Sequence, residues 1–237
     1  MANFYDFSSD NINIIIFIID KSGSMENDED NVREGLSAYK KSFENFPEAN
    51  SIAISVCKFN GVFEPGDFQK VTKFDTSYSA WGGTALYYSI LQGEQHLNNY
   101  VEEVTRRTGC IPRVTFILLS DGEAGDRSVT WEDAKDAIER LNLAGVTTAF
   151  IAFGSAIESE FGKNLGFMAT IDVKDRETLV NFLGVELSKS CKEQSKSLKA
   201  LGANFFSKAV DSSKSEGYSQ TTKQALDDDE WFNDIDI

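Results

Sequence analysis

The stretch Ile14–Met25, with the sequence IIIFIIDKSGSM, decides the fold. It opens with an unbroken apolar run rich in β-branched residues, which is typical of a strand buried on both faces of a parallel sheet. The run stops at Asp20, and Ser22 and Ser24 follow at alternate positions of a loop that contains glycine. Ligands of open α/β sheets bind at the carboxyl ends of the strands. Oxygen ligands alone suit a hard cation, so the loop predicts a site for Mg²⁺ first, and for Mn²⁺ or Ca²⁺ next.

An ordinary strand-to-helix turn with a serine or aspartate cap would have the same local sequence, so two later stretches are needed to decide. The first is Gly82-Gly83-Thr84, which directly precedes a predicted helix. The second is Asp121-Gly122, which ends another nearly continuous apolar run, Arg113–Ser120. Taken singly, the first stretch is an ordinary glycine-rich turn with a threonine cap, and the second is a common turn pair. Together they add a hydroxyl and a second carboxylate at the same expected edge of the sheet.

Strand and helix patterns alternate along the chain. Strands are predicted over 14–19, 51–60, 68–74, 113–120, 146–153 and 167–173. Helices are predicted from the acidic cluster at 26–30 to about 47, over 84–104, 131–143 and 175–191, with a short helix or loop over 155–166. This order predicts an α/β fold with a doubly wound, mostly parallel sheet covered by helices on both faces. The lysines of Phe68–Phe74 mark that stretch as one antiparallel edge strand.

Three parts are expected along the chain: one domain over 1–191, a helical extension over 192–210, and a flexible linker with an acidic tail over 211–237. The segment Asp227–Ile237 carries six acids and no base, with tryptophan, phenylalanine and isoleucine between them. It is either a solubilising end or a short peptide ligand for a second partner. A further alternative is that its acids bind the metal of their own domain or of another copy, giving autoinhibition or self-association.

Composition excludes several classes of partner. The 237 residues include 23 basic and 38 acidic side chains, for a net charge of −15. Such a surface repels nucleic acid and anionic membranes. Three separated cysteines predict reduced thiols rather than a disulfide framework or a zinc site. No stretch is long and apolar enough for a membrane helix, and no charged secretory leader precedes the first strand, so a cytoplasmic protein is expected.

The combination of Asp20-x-Ser22-x-Ser24, Thr84 and Asp121 resembles the metal-ion-dependent adhesion site of the von Willebrand factor A domain, also called the integrin I-like domain. The resemblance covers about residues 12–191, and all five motif positions match. It implies that Ser22, Ser24 and Thr84 ligate the metal directly, whereas Asp20 and Asp121 act largely through water. It also implies a protein partner whose Asp or Glu supplies a further ligand.

Within that family, the chain is similar to bacterial intracellular members of the TerY-like group, which accompany tellurium-resistance or stress systems. An intracellular adaptor is therefore expected. The chain lacks the zinc-ribbon cysteines that some of these relatives carry, and its acidic tail has no counterpart in the family.

An enzymatic alternative is less favoured by the motif, so the sequence predicts a protein without enzymatic activity. A Mg²⁺-dependent phosphohydrolase of the haloacid dehalogenase kind also starts with an aspartate after a buried strand, but it needs a second aspartate where this chain has Ser22. A serine without a base cannot perform general acid–base work. The single histidine, His96, lies within a predicted helix, where a core or surface role is expected.

Overall fold

The computed structural model describes residues 11–122, 124–153, 156, 160–173, 176–197, 201–206 and 218–222. Its strands are β1 (Asn13–Asp20), β2 (Ile52–Phe59), β3 (Phe63–Glu64), β4 (Gln69–Lys70), β5 (Arg113–Ser120), β6 (Thr147–Phe153), β7 (Ala169–Val173) and β8 (Tyr218–Thr222). Its α-helices are α1 (Glu29–Ser42), α2 (Leu86–Thr108), α3 (Trp131–Leu143), α4 (Phe161–Leu165), α5 (Arg176–Asn181) and α6 (Ser188–Lys196). A π-helical segment, Phe182–Leu187, joins α5 to α6, and 3-10 helices cover Gly23–Asp28, Pro47–Ser51 and Gly202–Asn204.

The strands form one sheet in the order β3-β2-β1-β5-β6-β7-β8, and β4 also pairs with β2. The five central strands, β2, β1, β5, β6 and β7, are parallel to one another. The chain passes from β1 to β2 on one side and later returns to β5 on the other side of β1. The carboxyl ends of β1 and β5 therefore form the switch point at which open α/β sheets bind ligands.

Helices cover both faces of the sheet, which explains why β1 reads as a continuous apolar run. Ile15, Phe17 and Ile19 belong to one buried cluster, with α1, the π-helical segment and α6. Ile14, Ile16 and Ile18 belong to the other, with α2, α3 and α4. Every residue of β1 is buried, as expected for a central strand of a doubly wound sheet.

The helices begin and end where local chemistry favours it. In α1, Glu29 and Asp30 lie in the first turn and Lys40 and Lys41 in the last, which matches the sign of the helix dipole. A capping box between Thr130 and Asp133 starts α3. Within the described residues, no helix has the length and apolar character needed to cross a membrane.

The predicted fold class is confirmed, and the central strands lie within one or two residues of their predicted bounds. The predicted edge strand Phe68–Phe74 is reduced to the two residues of β4, because only Gln69 and Lys70 pair with β2. Two further antiparallel strands were not predicted: β3, which pairs with β2, and β8, which pairs with β7.

Two predictions for the region after Cys191 were wrong where the structure describes it. The helical extension predicted over 192–210 ends at Lys196, because Ser197 takes an extended conformation. Phe205 and Phe206 then pack into the core beside Phe182 rather than continuing a helix. The predicted linker contains strand β8, because β7 offers an unpaired edge and the tyrosine and threonines of β8 favour extended backbone. The parts of these predictions that concern residues 198–200, 207–217 and 223–237 lie outside the described residues.

Candidate metal centre

The first predicted site residue, Asp20, lies at the end of β1 and is completely buried. Its Oδ1 accepts a hydrogen bond from the backbone N–H of Ser22 at 2.9 Å, and its Oδ2 accepts one from the Ser120 hydroxyl at 2.7 Å. The pKa of Asp20 is raised to about 6, chiefly by burial and to a smaller extent by nearby Asp121, although the hydrogen bonds from Ser22 and Ser120 act in the opposite direction. Because burial and Asp121 disfavour the negative charge on Asp20, a cation bound nearby would stabilise that charge.

The hydroxyls of the first loop lie side by side. Ser22 Oγ and Ser24 Oγ are 3.0 Å apart, with Ser22 buried and Ser24 exposed to solvent. Two neutral oxygens at this separation, one deep and one open, can face a common ligand at the sheet edge. Asp121 directly follows the adjacent strand β5 and is 7% exposed. The structure therefore places both predicted carboxylates and both predicted serines at the switch point.

Backbone hydrogen bonds fix the second loop, Trp81–Thr84, against the first. The Gly23 N–H donates to Gly82 O at 3.0 Å, and the Trp81 N–H donates to Lys21 O at 2.7 Å. Gly82 has φ +85°, and a Cβ on Gly23 would lie 3.3 Å from Gly82 O, so glycine suits this close approach. Thr84 follows two residues after Gly82, whose carbonyl is bonded to the serine loop.

Asn60 connects β2 to the same loop, a role that the sequence did not reveal. Its Nδ2 donates to Trp81 O at 3.0 Å, and its backbone oxygen accepts from the Ala85 N–H at 2.6 Å. The chain segments on both sides of Thr84 are thus bound to one buried asparagine.

Asp126 holds the third loop, which follows β5, against the start of α2. Its two carboxylate oxygens accept from the Tyr87 N–H at 3.0 Å and the Tyr88 N–H at 2.9 Å. The Gly125 N–H also donates to Thr84 O at 2.7 Å. The loop that begins at Asp121 is therefore attached directly to the threonine loop.

Glu29 supports the site from α1. Its Oε1 accepts from the Ala80 N–H at 2.6 Å and from the Ser79 hydroxyl at 3.1 Å. The acidic cluster at 26–30 predicted a helix start, and Glu29 has this further contact to the two residues that precede the second loop. No local pattern in the sequence identifies Glu29 or Asp126, because both act through segments distant along the chain.

The donor set at this edge fits a hard divalent cation: two carboxylates, three hydroxyls and space on the solvent side at Ser24. Across the described part of the chain, no group of three or more His, Cys, Asp or Glu side chains is placed to hold a metal ion. An ion at this edge would therefore depend on hydroxyl oxygens as well as carboxylates.

His96 lies elsewhere, in the middle of α2. Its Nε2 is 3.0 Å from Gly66 O and 3.2 Å from Ser55 Oγ, and Phe68 stacks on its ring. Burial lowers the pKa of His96. Ser55 lies on β2 and pairs with Ile16 of β1, four residues before Asp20. His96 therefore packs against the sheet away from the metal edge.

Solved structures of several domains share this fold. A pilus adhesin, SpaC from Lactobacillus rhamnosus GG in its open conformation, has a TM-score of 0.61 and 15% identity over 77% of this chain and 30% of that one. The SpRpn10 VWA domain has a TM-score of 0.53 and 10% identity over 73% of this chain and 93% of that domain. The manganese-loaded TRAP protein of Plasmodium vivax has a TM-score of 0.50 and 18% identity, over 66% of this chain and 63% of that one.

These identities are low, and the chain spans about 30% of the length of the adhesin, so the likenesses concern the fold. Among curated proteins, none matches the chain significantly. The family model of the von Willebrand factor type A domain matches residues 15–185, which include the whole of the candidate site. That match covers most of the chain, which therefore belongs to the von Willebrand factor type A domain family.

Proposed function

We propose that the chain is a metal-dependent protein–protein interaction module. Ser22, Ser24 and Thr84 would bind a divalent cation directly, with Asp20 and Asp121 bound mainly through water. The observation that carries the proposal is the pair of adjacent serine hydroxyls, 3.0 Å apart, beside the buried carboxylate of Asp20. Both oxygens of Asp20 already accept hydrogen bonds from the protein, which supports an indirect role for this residue.

A bound divalent cation would supply an open coordination position for a carboxylate. Because direct ligands that are neutral hydroxyls leave the ion's charge uncompensated, an Asp or Glu of a partner is the favoured further ligand. The net charge of −15 does not oppose this, since the ion dominates the field at its own site. Mg²⁺ is the first candidate, and the manganese in the TRAP structure supports testing Mn²⁺ as well.

The wider setting of the proposal is an intracellular adaptor in a bacterial stress or tellurium-resistance-type system, as the similarity to TerY-like members implies. Members of the family are mostly interaction modules without enzymatic activity. The position at which a haloacid dehalogenase would carry its second aspartate is occupied by Ser22, and a serine cannot replace an aspartate as the general acid–base group. A binding role is therefore preferred to phosphate hydrolysis.

The test is calorimetric titration of Mg²⁺ and Mn²⁺ into the full chain and into a matched pair of variants, Thr84→Val and Thr84→Ser. Valine keeps the shape of threonine but removes the hydroxyl, whereas serine keeps the hydroxyl. We expect Thr84→Val to lose about tenfold or more in metal affinity, equal to about 1.4 kcal/mol, and Thr84→Ser to stay near the wild-type value.

Affinity capture with and without EDTA, using the same two variants, then tests the partner. Partners bound by the wild type and by Thr84→Ser, and lost with EDTA and with Thr84→Val, would support the proposal. Equal metal binding by both variants would overturn the assignment of Thr84, and partners that survive chelation would show that another surface binds them.

A further inference from the structure

A cluster of lysines lies around the half-buried ring of Phe46, between α1 and β2. We call this cluster the lysine corner and define it as Phe46, Lys70, Lys73, Lys192 and Lys196. Lys192 Nζ lies 5.6 Å from the centre of the Phe46 ring, and Lys196 Nζ lies 5.2 Å from it. Phe46 also lines a cavity of about 340 Å³ together with Lys70 and Lys73. One aromatic ring therefore joins two pairs of lysines.

The positive charge of the lysine corner is largely uncompensated. No ion pair among the described residues involves any of its four lysines. Lys192 Nζ donates to a neutral acceptor, Ser42 O, at 2.8 Å. The pKa of Lys192 is lowered chiefly by burial and also by the charge of Lys196, although Cys191 acts in the opposite direction. The cavity lining contributes the acid Glu44 against two lysines. The corner is thus a positive patch on a chain of net charge −15, and it attracts acidic ligands.

The chemistry of the corner favours an acidic ligand with aromatic side chains. Its ammonium groups favour carboxylates, and the open part of the Phe46 ring favours an apolar or aromatic neighbour. This chain contains a segment of that composition, Asp227–Ile237, with the sequence DDDEWFNDIDI. The segment has six acids and no base, and Trp231 and Phe232 lie between the acids.

Strand β8 carries the chain away from the metal centre. Tyr218 pairs with Val173, the last residue of β7, and Thr222 pairs with Ala169, the first. Because β8 is antiparallel to the central strands, the chain after Thr222 leaves β8 at their amino ends. The metal centre lies at the opposite edge of the sheet, at the carboxyl ends.

The lysine corner lies at the amino ends of the central strands, where β8 ends. Lys70 pairs with Ala53, the second residue of β2. Lys196 directly follows Ser195, whose backbone oxygen accepts a hydrogen bond from Arg113, the first residue of β5, at 3.0 Å. The segment and the corner therefore belong to the same edge of the sheet.

The chain is long enough for the segment to extend across the corner. Through the ladder of paired strands, Thr222 lies at the level of Val56, three residues from Ala53. That offset is about 10 Å along the strands, and six spacings from β8 to β4 add about 29 Å, so Thr222 and Lys70 lie about 31 Å apart. Phe232 is ten residues beyond Thr222, which allows about 34 Å of extended chain, and five residues follow it. The α6 side of the corner is nearer, because β5 is only three spacings from β8.

Position, charge and tethering together select the segment of the same chain as the occupant. The short connection from β8 holds the segment near the corner at an effective concentration on the order of millimolar. An acidic segment of a second copy or of another protein has no such advantage and must compete with the tethered one.

We propose that the segment Asp227–Ile237 binds the lysine corner of its own chain. Its acids would face the four lysines, and Trp231 or Phe232 would pack against Phe46. The contact needs no metal, so this inference and the proposed function stand or fall separately. A segment bound in this way is held at the edge opposite the metal centre, which keeps its acids from the metal of their own domain.

Carbodiimide cross-linking of the full chain, followed by mass spectrometry, tests the proposal, because this zero-length reagent joins a lysine amine to a carboxylate in direct contact. We expect links from Lys70 and Lys192 to acids of the segment. A double variant, Lys73→Glu with Lys196→Glu, reverses two exposed charges of the corner and keeps both reporting amines. The links should fall about tenfold or more in this variant, and also in about 1 M salt.

A second double variant, Lys135→Glu with Lys163→Glu, is the matched control. It changes the net charge by the same amount but lies on α3 and α4, so it should keep the links. An equal mixture of ¹⁵N-labelled and unlabelled chains identifies the occupant, since links within one chain carry a single isotope. EDTA should leave the links unchanged, which separates this contact from one at the metal centre.

Four results would overturn the proposal. They are a wild type without links between corner and segment, an equal loss of links in both double variants, links that are lost in EDTA, and links that mostly join a labelled to an unlabelled chain. The last result would assign the segment to a second copy.

Discussion

The two strands that end at the metal centre have similar sequences but different surroundings. β1 and β5 are both largely apolar, buried strands; β1 ends at Asp20, and β5 is followed directly by Asp121. Asp20 is fully buried and has both oxygens bonded inside the protein, one of them to Ser120 of β5. Asp121 lies further out, at 7% exposure, and is followed by Gly122 at φ +82°.

The loops that follow the two aspartates are also held in different ways. The first is fixed by its own backbone, through Lys21 N–H to Phe59 O at 2.7 Å and Gly23 N–H to Gly82 O. The third is fixed through the side chain of Asp126, which caps α2. The comparison teaches that the first loop is held by backbone hydrogen bonds, whereas the third loop is also held by a side chain, that of Asp126.

Replacing each aspartate by asparagine should give the largest effect and the clearest contrast. We expect Asp20→Asn to lower Mg²⁺ affinity by up to about 100-fold, because the site loses a negative charge and the carboxylate that bonds both the first loop and β5. Without metal, Asp20→Asn should melt no lower than the wild type, since a buried charge is removed while an amide oxygen can still accept from the Ser22 N–H. Asp121→Asn should lose metal affinity with little change in melting temperature.

Calorimetry and thermal melts in EDTA measure these two quantities. A metal-free Asp20→Asn protein that melts well below the wild type would show that the carboxylate stabilises the fold. Asp20 would then contribute to the stability of the fold and not only to metal binding, contrary to the prediction.

The central strands and the positions of the candidate site residues could be predicted from the sequence for a physical reason. A strand buried on both faces must be apolar throughout, so β1 and β5 were visible as runs with sharp polar ends. Helix α3 was visible because Ala134, Ala137, Ile138 and Leu141 repeat at helical spacing. The roles of Asp20, Ser22, Ser24, Thr84 and Asp121 as metal ligands remain predictions, although the fold brings them to one edge.

The parts that the sequence did not reveal depend on contacts between distant segments. Strand β8 has the polar sequence YSQTT and becomes a strand because β7 has a free edge, which is a property of the whole sheet. Asp126 looks like any loop aspartate, and its role arises from the backbone of Tyr87 and Tyr88, which precede it by nearly forty residues. Neither contact leaves a local pattern.

The dependence of the third loop on Asp126 predicts an intermediate effect. Asp126→Ala should destabilise the protein by about 1 kcal/mol through loss of the α2 cap, and should weaken Mg²⁺ binding several-fold because the third loop loses its side-chain attachment to α2. Asp133→Ala is the matched control. It removes another capping aspartate, in the capping box of α3, and should lower stability without changing metal affinity. If both variants bind Mg²⁺ like the wild type, Asp126 supports only the helix.

The backbone anchoring of the first loop predicts the smallest effect, from Glu64→Gln. The Lys21–Glu64 ion pair is short, at 2.7 Å, but the side chain of Glu64 is 47% exposed, and such pairs contribute about 0.5 kcal/mol or less. Lys21 keeps its backbone bonds to Phe59 and Trp81 in this variant, so Mg²⁺ affinity should remain within about twofold of the wild type. A several-fold loss of affinity would mean that the ion pair, rather than the backbone, positions the loop. The first loop would then depend on a side chain just as the third does.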